Sequence, residues 1–580
     1  MSEQLIIDEV IGRINDWESD MSQFFGLWNE WASSYRMIDT RKNPRPTGVS
    51  KVLTGETPRA VNALATSITR MQTAADPYFE LRGDSVKEEQ LFDAEKRLQR
   101  QLMLTEFKRN LLKGNRGLCL FGTQVWEEPY ISYPAGTPTP IFQGTGFTPL
   151  SLLQVAFESS VYDMKLSDYI ATLSNVNGNY LRFVSNSGNG VWNQALIEQG
   201  IKEKQDGGES DSKSRIEERR TKGQYNDISA RQNELILWHG RLTNLENPVL
   251  LEMWQKFGRT DDIKHSDITV GILNRKYLVR LHPTPYGTWH HMYKIGHYIE
   301  FELEPLGYGV GALGNNLQKD MNRIVTYAYD VAKFSLWNLW LSGRGGGMKP
   351  QNMNIFPFSV IPVDDINQIK EFRPQIEGIV SGLKLHEITR EDFRGVTHAT
   401  ATLQAINTGG TATEASLAQG EAMRAVSLTA EINGDTVNRP HLETMYKNDI
   451  DQNPFDSQIV RGLDILYKVV TDKDYRPEHS KQLIQIASFI TSIRSQLPLD
   501  FNVMPILKYL VRSVGINPRE IKEPRPQIDR MLDVLTRVNA DSETKQAMLG
   551  EEASLSNQSN PPADIPGPVP NSPISSIGVL

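Results

Sequence analysis

The chain has 580 residues, 39% of them hydrophobic and 23% charged, a balance that fits packed globular units and excludes a disordered or fibrous chain. At this length several packed units are expected. The net charge of −8 argues against a broad basic face that wraps nucleic acid, although not against a protein that lets DNA pass without gripping it. The single cysteine, Cys119, excludes an intrachain disulfide and suits synthesis in a reducing cytoplasm. No run of about 18 apolar residues predicts a membrane span. The start, MSEQLIIDEV, has neither a basic n-region nor a long apolar h-region, so no signal peptide is expected.

In chain order, residues 1–40 read as helix with aromatic anchors at Trp17, Phe24, Phe25, Trp28, Trp31 and Tyr35, serving either the core or a subunit interface. In TPRAVNALATSITRMQTAAD, Thr57 is the expected N-cap with Pro58 at the first helical position. Val61, Leu64, Ala65, Ile68 and Met71 then share one face. One long amphipathic helix is expected from about Val86 to Leu112, followed by strand-like composition in NRGLCLFGTQVWEEPY. Residues 129–310 are rich in Gly, Pro, aromatic and β-branched residues. Short strands are predicted at LRFVSN, ELILWHGRL, TVGILNRKYLVRL and HYIEFEL. The charged stretch 202–224 reads as a solvated, mobile insertion, or else as a nucleic-acid arm.

From Ala312 to Leu341 the period becomes helical, predicting a helix of roughly 40 Å at about 1.5 Å per residue. SGRGGGMKP stops it, a short β-like piece follows, and helix resumes over about 376–396. An uncharged Gly- and Thr-rich loop comes next. A long helix then runs from about Thr413 to Asp449, with a bend expected near Gly434 or Pro440. Thr411 and Glu414 form a T-x-x-E capping box, and Gly409 and Gly410 free the turn before it. Ala415, Ala418, Ala422, Ala425 and Ile432 make a slim packing face. Residues 477–550 add helices, and 551–580 is a Pro- and Ser-rich tail.

Local chemical motifs are weak. Gly309, Gly311 and Gly314 fit G-x-G-x-x-G ahead of a helix, but Glu300, Glu302 and Glu304 alternate with apolar residues before them. That alternation suggests a half-exposed antiparallel strand, where a dinucleotide site needs a buried parallel one. A tight turn into the helix is the other use of these glycines. His290, His291 and His297 read as ordinary strand histidines, because adjacent residues on a strand face opposite ways. Cys119 sits in an apolar run and reads as core. No phosphate-loop spacing, G-x-S-x-G, H-E-x-x-H or C-x-x-C is present, so no enzyme activity, cofactor or metal is expected.

The order of parts is more telling than any one motif. LTGETPRAVNALATSITRMQTAADPYFELR, LEPLGYGVGALGNNLQKDMNRI and NTGGTATEASLAQGE, in that order, resemble the portal (head-to-tail connector) proteins of short-tailed bacteriophages, a weak but ordered similarity over roughly 1–540. The resemblance implies an α+β portal-like subunit. A mixed α/β wing would occupy 1–311, stem helices 312–341 and 376–396, a small β-containing clip 342–375, and a tunnel loop 397–412. A long helix and wing return would take 413–476, helical crown 477–550, and a flexible tail 551–580. It implies a ring, usually of twelve subunits, at one capsid vertex of the virion, assembled in the bacterial host cytoplasm. The ring would conduct double-stranded DNA non-specifically during packaging and ejection. Its other partners would be the major capsid protein, the terminase large subunit and then a tail adaptor protein, with no membrane. The terminase ATPase would drive packaging, in agreement with the missing phosphate loop. Unlike in larger relatives, no long helical barrel is expected after the crown, where a Pro-rich tail follows.

By the same resemblance, Thr402, Gln404, Asn407, Thr408, Gly409, Gly410 and Thr411 would face the channel, and Met348, Asn354, Phe356 and Phe358 would form the clip interface. Arg390 and Arg394 are candidates for basic channel rings, or else belong to a solvated helix face. Phe334, Trp337 and Trp340 would pack against a neighbouring stem, line a clip contact, or pack within the chain. Two other readings stay open: a nucleotide-binding enzyme using Gly309–Gly314, and a structural adaptor of the virion without a channel.

Overall fold

The computed structural model describes residues 2–38, 50–74, 78–82, 88–133, 142–187, 191–205, 232–259, 262–302, 304–336, 339–342, 369–372, 377–399, 424–452, 463–467 and 469. All belong to one structural unit built from Met1–Pro498 and Leu510–Asn517. The expectations for 206–224, 343–368, 400–423 and 477–580 lie outside the described residues.

Helices α1 (Ser2–Asp20) and α2 (Ser22–Tyr35) carry one apolar stripe. Ile7, Val10, Ile14, Trp17, Met21, Phe25, Trp28 and Ala32 follow at spacings of three and four, and all are buried. Trp17 meets Phe25 edge-on at 5.4 Å between ring centroids. The aromatic anchors Trp17, Phe25, Trp28 and Trp31 therefore serve the chain's own core, while Leu27 faces solvent. Helix α3 (Glu56–Thr73) buries the face predicted for it. Its N-cap is Gly55, not Thr57. The expected cap hydroxyl is used across the fold instead: Thr57 gives both its N–H and its Oγ1–H to Gln318 Oε1, at 2.9 and 3.0 Å.

After β1 (Phe79–Arg82), the single helix predicted over 86–112 is two helices, α4 (Glu88–Leu104) and α5 (Phe107–Phe121). The buried positions explain the break. Leu98 and Leu102 are followed by Phe107, Leu111, Asn115 and Leu118. The five-residue step from 102 to 107 would rotate the stripe off the core in a continuous helix. Glu106, held left-handed at φ 52°, resets the phase. Helix α5 also takes residues predicted as strand, and Gly122 ends it at φ 89°, its N–H bonded to the Leu118 carbonyl. An L side chain resists that conformation, and a Cβ there would lie 2.0 Å from the Gly307 carbonyl oxygen.

Strands β2 (Thr123–Glu127), β3 (Tyr130–Tyr133), β4 (Phe142–Thr145), β5 (Thr148–Leu150), β6 (Val155–Phe157) and β7 (Tyr169–Asn177) lead to α6 (Gly178–Ser187) and α7 (Gln194–Gln205). LRFVSN thus lies in a helix and is no strand. Gly178, Leu181 and Ser185, three and four apart, are its buried positions. Then come β8 (Gln232–Gly240), α8 (Pro248–Lys256), β9 (Ile268–Leu273), β10 (Tyr277–Pro283) and β11 (Tyr293–His297). TVGILNRKYLVRL is a hairpin turning at Asn274 and Arg275, both left-handed. HYIEFEL keeps strand only to His297, because its partner β2 begins opposite, at Thr123. The sheets run β10-β9-β8-β7-β6 and β11-β2-β5, with β3 paired to β4, and every pairing is antiparallel. The described residues are therefore α+β, without the parallel strand that a dinucleotide site needs before Gly309.

Across the five-stranded sheet His239, Thr269 and His282 stand in register, all buried. His239 Nδ1 lies 3.0 Å from Thr269 Oγ1. Burial, and then the nearby Arg280 guanidinium, depress His282 to about 4 and also lower His239.

Then come α9 (Val310–Leu336), a β pair of β12 (Leu339–Ser342) and β13 (Ile369–Phe372), and α10 (Glu377–Val396). Helix α11 covers 424–452. A π segment, Gly434–Asn438, divides it just before Arg439–Gln452, where the bend was expected. Pro440 has no N–H and its ring crowds the carbonyl four residues back, so widening the preceding turn relieves the clash. Strand β14 (Asp464–Tyr467) returns to pair with β1.

Candidate functional site

Helices α9 and α10 form an antiparallel hairpin. At its root Gly314 of α9 lies under Phe393 of α10, where a Cβ would come within 2.3 Å of the ring. Fourteen residues further along α9, Ala328 meets Gly382 of α10, its Cβ 3.9 Å from the Cβ position of that glycine. Beyond the helices β12 and β13 continue the antiparallel course, Leu339 opposite Phe372 and Ser342 opposite Ile369. The helices predicted over 312–341 and 376–396 are thus present, the first ending at Leu336.

The root is bound to the body by polar side chains on the inner face of α9. Gln318 accepts from Thr57 and donates through Nε2 to the Thr54 carbonyl at 2.7 Å. Asn322 accepts the Thr54 N–H and hydroxyl at 2.7 and 2.8 Å. Two side chains of α9 thereby satisfy backbone donors in and before the first turn of α3, work that a local cap residue does elsewhere. From α10, Arg394 reaches Glu56 at 3.1 Å, and Arg59 holds the other carboxylate oxygen at 2.9 Å. Glu56 is buried in the first turn of α3, where the helix dipole also favours an anion. Sequence reasoning missed Gln318, Asn322 and Glu56. The available signal was two polar residues, four apart, beside the apolar stripe that carries Met321 and Ala328.

Each of the two candidate arginines has a partner within the chain. Arg394 is committed to Glu56 and does not lie on a solvated helix face. Arg390 pairs with Glu387 at 3.1 Å on its own helix. Gly309, Gly311 and Gly314 lie at the start of α9, which begins at Val310, and none of the three has positive φ. A Cβ on Gly311 would strike the Leu120 carbonyl and the Trp31 ring, both at 2.7 Å; one on Gly309 would lie 2.5 Å from the Gly122 nitrogen. They let α9 approach α2, α5 and α10 closely, and protein fills the space a phosphate would take.

The helix end before the predicted tunnel loop is a Schellman motif. Ala399 N–H bonds the Arg394 carbonyl at 3.0 Å, His398 N–H bonds Gly395 at 3.2 Å, and His398 is left-handed at φ 56°. Tyr298 Oη–H holds the Thr397 carbonyl at 3.0 Å. Thr402, Gln404, Asn407, Thr408, Gly409, Gly410, Thr411 and Glu414 lie outside the described residues, as do Met348, Asn354, Phe356, Phe358 and Trp337.

The outer half of the hairpin differs from the root. Tyr327 and Tyr329 on α9, and Val380, Leu383, Leu385 and Ile388 on α10, are each more than half exposed. At about 100° per residue the inward stripe of α10 runs through Gly382, His386, Thr389 and Phe393. Leu383 and Leu385 flank that stripe on opposite sides, and Val380 and Ile388 point away from it. No single face collects them, and an isolated helix pair gains nothing from apolar groups on both flanks.

His290 and His291 lie in a 3₁₀ turn, Trp289–His291, not on a strand, and His297 closes β11 with Nδ1 3.1 Å from Thr123 Oγ1. The turn borders a cleft of about 530 Å³ against α11. Lys294 in its wall is spent on the carbonyls of His290 and His291 and on Glu128. Cys119 is fully buried, and burial pushes its thiol far up, so it is core. Among the described residues no three His, Cys, Asp or Glu could hold a metal ion, and no helix is long and apolar enough to cross a membrane. Compared with known proteins, the chain matches no family model and no curated relative.

Proposed function

We propose that the chain is a portal-type subunit that closes into a ring and conducts double-stranded DNA, with the α9–α10 hairpin as the stem. The observation that carries the reading is the hairpin's division into an anchored root and an outer half with apolar groups on both flanks. A ring that closes by rotation uses a heterologous contact, so each subunit needs two different sticky flanks, and Leu383 and Leu385 supply one each. Single apolar residues on a surface are ordinary, but six on one pair of helices are unusual. The β12–β13 pair beyond the hairpin suits the clip, which would meet the terminase and later the tail adaptor. The loop after Ala399 is uncharged to Ala412, so it can approach a moving polyanion without releasing its counterions and binding it.

Purified protein should form rings. Twelve copies of 65.5 kDa give about 790 kDa and a net charge near −96. A stable monomer at every salt and protein concentration would remove the reading. Within an assembling system, Asn407→Arg or Thr408→Arg should lower DNA packaging and leave ring formation intact.

A further inference from the structure

The acidic chain carries one concentrated basic stretch. Between Lys96 and Arg116 lie seven cations, Lys96, Arg97, Arg100, Lys108, Arg109, Lys113 and Arg116, against the single carboxylate of Glu106. That is +6 within 21 residues, so the remaining residues together carry −14. The stretch covers the second half of α4 and most of α5, the first half of α4 being acidic with Glu88, Glu89, Asp93 and Glu95, and helical spacing sorts it. Leu98, Gln101, Leu102, Phe107, Leu111, Asn115 and Leu118 face the core. Lys96 and Arg100 then fall on the solvent face of α4, with exposed Asp93 one turn before Lys96. Arg109, Lys113 and Arg116, at i, i+4 and i+7, form a solvent stripe on α5, with Lys108 beside it. Arg97 is paired with Asp449, and Arg109 with Glu106 in an exposed pair worth little. Among the described residues no carboxylate pairs with Arg100, Lys108, Lys113 or Arg116.

Like charges this close repel, and a chain that is acidic elsewhere has no need of them for solubility. Their cost is repaid when a polyanion covers them. We infer that the solvent faces of α4 and α5 bind the phosphate backbone of duplex DNA without reading its sequence. The partner follows from the pattern: exposed arginines and lysines along rigid helices match a polyanion with one charge per about 1.7 Å of axis. The inference rests on the channel reading for how DNA reaches the protein, but the grip is on elements other than the hairpin. The neutral loop and this basic face would then divide the work, one letting DNA slide and the other holding it.

The test uses the full-length protein, a random-sequence 30-bp duplex and fluorescence anisotropy at salt concentrations from 50 to 200 mM. The triple variant Lys108→Ser, Lys113→Ser, Arg116→Ser should flatten the slope of log affinity against log salt by about 2.7, the share of three phosphate contacts. The double variant Lys96→Ser, Arg100→Ser, on a separate helix, should flatten it by about 1.8 and guards against a folding defect in the first. Unchanged slopes in both folded variants overturn the proposal. So does polyglutamate binding as tightly as the duplex with the same losses, which would make the partner an acidic polypeptide. The outcome is separable from the channel reading. Rings whose DNA affinity ignores both variants sink only the basic face; a monomer that binds duplex and loses it on substitution keeps the face and sinks the ring.

Discussion

The two ends of the α9–α10 hairpin are built from opposite materials. At the root every strong feature is satisfied within the chain: Gly314 under Phe393, Gln318 and Asn322 on the donors of α3, Glu56 between two arginines. At the outer half the backbone is equally regular, but Tyr327, Tyr329, Val380, Leu383, Leu385 and Ile388 face solvent. The first region is costly to disturb and specifies where the hairpin leaves the body. The second contributes little to the isolated fold and gains its energy only from what covers it. Substitutions should therefore separate stability from assembly according to which end they touch.

Phe393→Ala should have the largest effect on stability. It removes a fully buried ring against Gly314 and should cost about 3–5 kcal/mol in urea denaturation. Glu56→Ala comes next, at about 2–3 kcal/mol, because it strands Arg394 while that side chain keeps some access to water. Comparable losses from the same changes made in the outer half would break the contrast.

A pH scan probes a third place, the five-stranded sheet. His282 is depressed from 6.5 to about 4 and so is held neutral. A lowered histidine favours the fold above its unfolded value and gives that advantage up as pH falls through 6.5 towards 4, about 3 kcal/mol in all. Denaturation midpoints should drop over that window, and His282→Gln should flatten the drop. The hairpin contrast should persist at pH 7.5, above the window in which His282 gives up its contribution.

The smallest effect on stability belongs to Leu383→Glu and Leu385→Glu, within about 0.5 kcal/mol of the parent. They sharpen the comparison most, since assembly should fail while the fold survives.

The helical parts were legible where burial repeats every three to four residues, as from Ile7 to Ala32 and along α9. What escaped depended on partners far away in sequence. Thr57 has every local mark of a cap, but Gln318 from α9 claims its hydroxyl. The break at Glu106 carries no glycine or proline, and only the five-residue step from Leu102 to Phe107 betrays it. LRFVSN has strand-forming residues, yet packing selects Leu181 and Ser185 at helical spacing. Arg394 read as a candidate channel cation because Glu56, 338 residues earlier, is invisible to any local window. The apolar flanks of α10 went unread for a related reason: Val380, Leu383, Leu385 and Ile388 match no single stripe, so no helical period reveals them.

The most direct test of the central claim is the particle mass of the parent protein beside the double variant Leu383→Glu, Leu385→Glu, with urea denaturation of both. Rings near 790 kDa for the parent, and small species of unchanged stability for the variant, are predicted. A parent that stays monomeric, or a variant that assembles as the parent does, would contradict the assignment of the hairpin's outer half to ring closure.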